Sequence, residues 1–227
     1  GKYNIAPFKK GEKNIMTFVK SKKYLKKIIE SNVYDVAISG NYAYVACGMD
    51  GLYIINIEDP TNPYRIGRFE LDTPGHGVHD VWVVDGIAYS SNWNDGVVAV
   101  DVGGGGQGGS PNNPVMLGSQ THPSGWNHAA FPYRSKSNGK FYMFAGDEAF
   151  PYPRDDRPGA PNTRAGGWIH IIEWDVWNDP KEVARYQVPE AGTHNLWIED
   201  DILYVAYYNG GLRIVDVSGD LRGDLYR

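Results

Sequence analysis

One hairpin is spelled three times along this chain. The stretches "NVYDVAISGNYAYVACGMDGLYIINI" (32–57), "GVHDVWVVDGIAYSSNWNDGVVAVDV" (77–102) and "GTHNLWIEDDILYVAYYNGGLRIVDV" (192–217) keep one register. Tyr34, His79 and His194 each stand ten residues before a tyrosine, namely Tyr44, Tyr89 and Tyr204. Leu52, Val97 and Leu212 follow those tyrosines by eight. A looser fourth copy begins at "HAA", where His128 lies fourteen residues before Tyr142 and "SKSNG" absorbs the extra four. Alternating runs of Val, Ile and Tyr bounded by Gly, Asn and Asp predict antiparallel strands joined by tight hairpins. "MDG", "NDG" and "NGG" supply the turn residues that tolerate positive φ.

A repeated unit of four short strands buries its faces only against neighbouring copies, so the pattern predicts an all-β fold, a β-propeller or propeller segment of about four four-stranded repeats. The copies span about 33–71, 78–121, 127–190 and 193–227, after a basic arm or edge strand over 1–32. The last copy has no evident outer strand, and "NIMTFVKSKKYLKKIIE" (14–30) is a candidate to complete it, with a short helix as the alternative.

Residues 1–30 hold nine Lys and two Glu in a chain of net charge −5, so the body is acidic. Nucleic acid is therefore not an expected partner; lysines along an edge strand discourage sheet-to-sheet aggregation. No run of 18 apolar residues is present to form a membrane-spanning helix. The chain opens Gly1-Lys2 without an initiator Met and is expected to be a processed or partly observed product. The single cysteine, Cys47, allows no internal disulfide and is expected to be buried on a strand.

"YDVAISGNYAYVA", the run "GLYIINIEDPTNPYRIGRFE" and "GLRIVDVSGD" resemble the LVIVD-repeat family, and "LRIVDV" (212–217) is similar to its eponymous motif. The resemblance covers about 33–227, interrupted by insertions at 103–113 and 149–165. It implies a propeller from a bacterial or archaeal family whose members are mostly secreted or at the cell surface, hence an extracytoplasmic location. It implies no particular reaction.

In a propeller the first strand of each blade lines the central channel, which makes Tyr34, His79, His128 and His194 the ligand or channel candidates. Two readings of the histidines stay open. His79, His128 and His194 are a candidate set for copper, zinc or iron, which neutral imidazole suits. Alternatively they pin one blade to the next through hydrogen bonds, with Asp35, Asp80 and Asn195 as partners. Ala37, Trp82, Phe131 and Trp197, three residues further on, are expected to wedge between blades as core. His170, on a third strand, is expected to be ordinary.

The insertion "GDEAFPYPRDDRPGAPNTRAGG" (146–167) places Asp147, Glu148, Asp155 and Asp156 beside Arg154 and Arg157. It reads as a partner-docking loop, with calcium binding as the alternative. "GGGGQGG" (103–109) lacks the context of a phosphate-binding loop and reads as a flexible connection. No nucleophile motif is recognisable. The expected function is a non-enzymatic binding or scaffold module outside the cytoplasm that presents loops to a protein or glycan partner. The alternative is a metal-dependent oxidoreductase built on the central histidines.

Overall fold

A computed structural model describes residue 29 and residues 31–71, 77–121, 126–149, 167–188 and 191–225. Every regular element among them is a β-strand, and no helix is long and apolar enough to cross a membrane. Four sheets result, each built on a meander of consecutive strands, which is the blade pattern of a β-propeller. The strands β1 (Asp35–Ser39), β2 (Tyr42–Ala46), β3 (Leu52–Asn56) and β4 (Tyr64–Phe69) pair in order. So do β5 (Asp80–Val84), β6 (Ile87–Ser91), β7 (Val97–Asp101) and β8 (Val115–Gln120). The third sheet holds β9 (Asn127–Arg134), β10 (Phe141–Asp147), β11 (Trp168–Glu173) and β12 (Lys181–Gln187). The fourth holds β13 (Thr193–Glu199), β14 (Ile202–Tyr207) and β15 (Gly211–Asp216). The chain divides into two compact units, residues 1–90 with 99–117 and residues 91–98 with 118–227.

In the first unit the inner faces of β2 and β3 build the core. Ala43, Val45, Ile55 and Ile57 pack with Ile29 at 0–6% exposure. Each such aliphatic side chain contributes roughly 1.5–3 kcal/mol when fully buried. Ser31 Oγ donates to the Cys47 carbonyl at 3.0 Å, which ties the end of the basic arm to this blade. The rest of that arm, including the expected strand over 14–30, lies outside the described residues apart from Ile29. The Val81 amide donates to Asp35 Oδ2 at 3.4 Å and to Asp80 Oδ1 at 2.7 Å, so both aspartates fix the entry of β5.

The glycine-rich stretch after β7 is ordered rather than flexible. Asp101, 1% exposed, accepts amide hydrogen bonds from Gly103, Gly104 and Gly105 at Oδ1, and from Gln107 and Gly109 at Oδ2. These bonds run from 2.8 to 3.1 Å. Close wrapping is what demands glycine: a Cβ on Gly109 would lie 2.2 Å from the Asp101 carbonyl oxygen.

In the second unit the last blade departs from the expected four strands. The described fourth sheet has three, and the chain's final strand, β16 (Gly223–Leu225), instead joins the third sheet. It runs parallel to β12, with Ala184, Arg185 and Tyr186 opposite Gly223, Asp224 and Leu225. Two forces place it there. Leu221 and Leu225 are buried, and Arg185 Nε meets Asp224 Oδ1 at 3.3 Å. Among the described residues β15 ends its sheet, and its Leu212 and Ile214 are exposed.

Blades three and four are locked together at the turn end and midway along their inner strands. At the turn end, Asp201 accepts the Lys136 and Ser137 amides at 3.0 and 2.8 Å and donates its own amide to Tyr133 at 2.8 Å. Asp200 and Asp201 hold φ of 54° and 56°, the left-handed pair that a two-residue hairpin needs and that Asp tolerates. Midway, Phe131 and Trp197 meet edge-on at 5.2 Å, the expected aromatic wedge.

Candidate functional site

Two repeat positions build the site. The first is the expected slot ahead of the inner strand. In the first unit its occupants Tyr34 and His79 stack with ring centroids 5.1 Å apart. In the second unit His128 and His194 do so at 4.1 Å, with the rings tilted by 47°. The second slot closes the second strand of each blade, four residues beyond the shared tyrosine. Gly48, Trp93 and Tyr208 fill it, and the ladder brings Glu148 to the same place in blade three. The Glu148 amide donates to the Trp126 carbonyl at 2.9 Å, as the Tyr208 amide does to the Gly192 carbonyl at 3.1 Å. Phe144 pairs with Phe131 as Tyr44 does with Ala37 and Tyr204 with Trp197. Phe144, and not the expected Tyr142, therefore holds the shared tyrosine's place in blade three, and Glu148 lies four residues beyond it.

Within the second unit these slots converge. His128, almost fully buried, holds Glu148 Oε2 with Nδ1 at 2.8 Å and Asn195 Oδ1 with Nε2 at 3.2 Å. The Tyr208 hydroxyl donates to the other Glu148 oxygen, and the Tyr208 ring stands edge-on to His194 at 5.4 Å. Burial alone would raise the Glu148 carboxyl; the hydrogen bonds from His128 and Tyr208 outweigh it and hold the group at about 2. Burial and the neighbouring His128 lower His194, which favours its neutral imidazole. Burial and the Glu148 carboxylate push the Tyr208 phenol up to about 12.

Two indoles flank this polar cluster. Trp93 stands 6.1 Å from the His128 ring and meets Trp126 edge-on at 5.9 Å. Trp93 exchanges backbone hydrogen bonds with Asn127 at 3.1 and 3.2 Å, which draws it against the start of β9. Its φ is 46°, a left-handed conformation unusual for so bulky a residue. Trp126 is 52% exposed and Tyr208 49%, so an aromatic rim faces solvent above a polar floor.

Beneath the floor lies a buried ionic cluster. His170 directs Nε2 to Asp147 Oδ2 at 2.8 Å and Nδ1 to Glu182 Oε2 at 2.7 Å. Burial would lower this imidazole, but the two carboxylates prevail and raise it to about 9. It is thus the imidazolium of a buried ion pair, not the ordinary strand residue expected. Thr193 Oγ1 donates to the Asp147 carbonyl at 2.9 Å, so the residue just before Glu148 is held on every side.

Of the predicted loop residues, Asp147 and Glu148 are separated by these roles, one buried in the ion pair and one in the site. Arg154, Asp155, Asp156 and Arg157 lie outside the described residues. The sequence reading missed Trp93 and Tyr208, although both could have been found by their shared spacing from Tyr89 and Tyr204. Trp126 and Glu182 carried no repeat signal.

The LVIVD repeat model matches residues 31–70 and 192–220. The chain carries LVIVD repeats. The first LVIVD stretch contains β1–β4 with Tyr34 and Gly48; the second contains β13–β15 with His194 and Tyr208. Trp93, Trp126, His128 and Glu148 lie outside both, in the copies that diverge from the LVIVD pattern. No curated protein matches the chain.

Among solved structures, the computationally designed Ika4 protein is similar with a TM-score of 0.52 at 14% identity, over 84% of this chain and 94% of that one. The Cps50 (Swd1) beta-propeller domain of Myceliophteria thermophila is similar with a TM-score of 0.52 at 11% identity, over 86% of this chain and 64% of that one. The AfRom2 CNH domain gives 0.50 at 12%, over 83% and 53%. These likenesses show the propeller fold of this chain and nothing of its ligand.

Proposed function

We propose that this LVIVD chain is a non-enzymatic binding module that acts outside the cytoplasm and presents its loops to a protein or glycan partner. One observation carries the reading. Trp93 occupies a left-handed slot at φ 46° that the preceding repeat fills with glycine, and it stands against the exposed ring of Trp126. A bulky residue kept in strain of roughly 1–2 kcal/mol argues for a use other than folding. Exposed indole and phenol faces beside an ionised carboxylate suit the stacked sugar ring of a glycan, with Glu148 to accept its hydroxyls. The extracytoplasmic location is supported by the LVIVD repeats alone.

Binding to an array of immobilised glycans tests the reading, with Trp126→Ala as the diagnostic variant. The expected result is a loss of at least tenfold in affinity with unchanged circular dichroism. Equal binding by the variant, or no glycan bound by the parent, moves the reading to a protein partner.

A further inference from the structure

We propose that the sugar taken at this site is an amino sugar carrying a free, protonated amine. The inference rests on the glycan reading and narrows it. Its starting point is Glu148, whose two oxygens are engaged by His128 Nδ1, at 2.8 Å, and by the Tyr208 hydroxyl. A carboxylate offers about four acceptor positions, so about half of them are left over. With its side chain 18% exposed, Glu148 is within a ligand's reach. Among the described residues, the groups that act on it are His128, Tyr208 and His194, with no Lys or Arg. An ammonium is a better donor to such a group than a hydroxyl, since charge assistance makes a hydrogen bond roughly twice as strong.

The surroundings favour the same charge. The Trp126 ring is exposed, and its backbone carbonyl accepts the Glu148 amide at 2.9 Å, so indole and carboxylate come from adjacent chain segments. Indole is the best of the aromatic faces for a cation, which it attracts within about 6 Å of the ring. Trp93 stands edge-on to Trp126 at 5.9 Å, and the half-exposed Tyr208 adds a further ring. His194, held towards its neutral form, brings no opposing charge. Residues 1–30 carry nine Lys and two Glu, or +7 in a chain of net charge −5, which leaves −12 on the remainder. That field draws in a cationic sugar and repels an acidic one. A primary ammonium fits better than a quaternary one, because only the primary group has N–H donors for Glu148.

Two trimers of one backbone, glucosamine and N-acetylglucosamine, isolate the amine, because acetylation removes its charge and leaves the ring. Calorimetry on the full chain at pH 6 should find the glucosamine trimer bound at least tenfold more tightly. Glu148→Gln should erase that preference, and added salt should shrink it in the parent. Trp126→Ala should weaken the binding of both trimers. Equal or tighter binding of the acetylated trimer overturns the inference and leaves the glycan reading standing. Binding of neither trimer also overturns it, and the glycan array then decides the wider reading separately. A lysine trimer bound as tightly as the glucosamine trimer overturns both, since charge without a sugar would suffice. Circular dichroism confirms that each variant is folded, and the two trimers on the parent decide if one is not.

Discussion

Trp93, at φ 46°, occupies the repeat position that Gly48 fills at φ 58°. Glycine adopts that conformation without a Cβ penalty, and in the first unit a Cβ on Gly48 would also come within 2.7 Å of the Tyr34 ring. The tryptophan has exchanged an easy turn for a ring beside His128.

Trp93→Gly should therefore leave stability nearly unchanged while abolishing partner binding. Relief of roughly 1–2 kcal/mol of backbone strain offsets the lost edge-on contacts, at about 0.5–1.5 kcal/mol each. Urea unfolding is expected within about 1 kcal/mol of the parent. A loss above about 2 kcal/mol would show that Trp93 is there to hold the blades.

The ionic cluster around His170 predicts an alkaline limit to stability. Its imidazole is raised from 6.5 to about 9, so its contribution is fully present below pH 6.5 and fades as pH rises through 9. The gap corresponds to roughly 3 kcal/mol. Denaturant midpoints measured from pH 6 to pH 10 should fall across this window, and His170→Gln should flatten the decline. A parent profile as flat as the variant's would exclude the buried imidazolium.

Glu148 predicts the opposite, acidic limit. Its carboxyl is depressed from 4.5 to about 2, so its stabilisation is complete above pH 4.5 and is lost as pH falls towards 2. Tryptophan fluorescence should report this loss early, because Trp93 stands beside the His128 ring that Glu148 holds. In Glu148→Gln the acid transition should lose this component, at a cost near neutral pH on the order of 2 kcal/mol.

Asp101→Ala should free the loop it organises. Amides that now point at one carboxylate would lose their shared acceptor, with a cost of roughly 3 kcal/mol after water replaces part of it. Hydrogen exchange at Gly103, Gly105, Gln107 and Gly109 is the direct measure, since these amides should pass from protected to fast. Retained protection would mean that neighbouring backbone, and not Asp101, shapes the loop.

Strand identity was legible in the sequence because the repeat keeps each hydrophobic position in one register. The ten-residue step from Tyr34, His79 and His194 to a tyrosine is visible to counting, and it finds the slot where His128 and His194 meet. Asn195 as partner of His128 followed from the same logic, since adjacent blades present equivalent residues to one another. What could not be read depends on geometry rather than spacing. Blade three has Phe144 where the others have the shared tyrosine, so counting from Tyr142 misses that Glu148 holds the site position and Asp147 the buried position before it, as Cys47, Asn92 and Tyr207 do elsewhere. His170 finds its carboxylates 23 residues upstream and 12 downstream, on two different strands. The glycine run after Val102 was misread because flexibility is inferred from composition, whereas one aspartate supplies the acceptor that orders it.

The parallel pairing of β16 with β12 has a consequence for how such a chain is made and copied. Blade three closes only when residue 225 emerges, after every strand of blade four has been synthesised. Its edge is therefore exposed through the whole translation of its neighbour, and the two must mature as one cooperative body. The same threading binds their inheritance. Blades three and four are therefore a single transferable module.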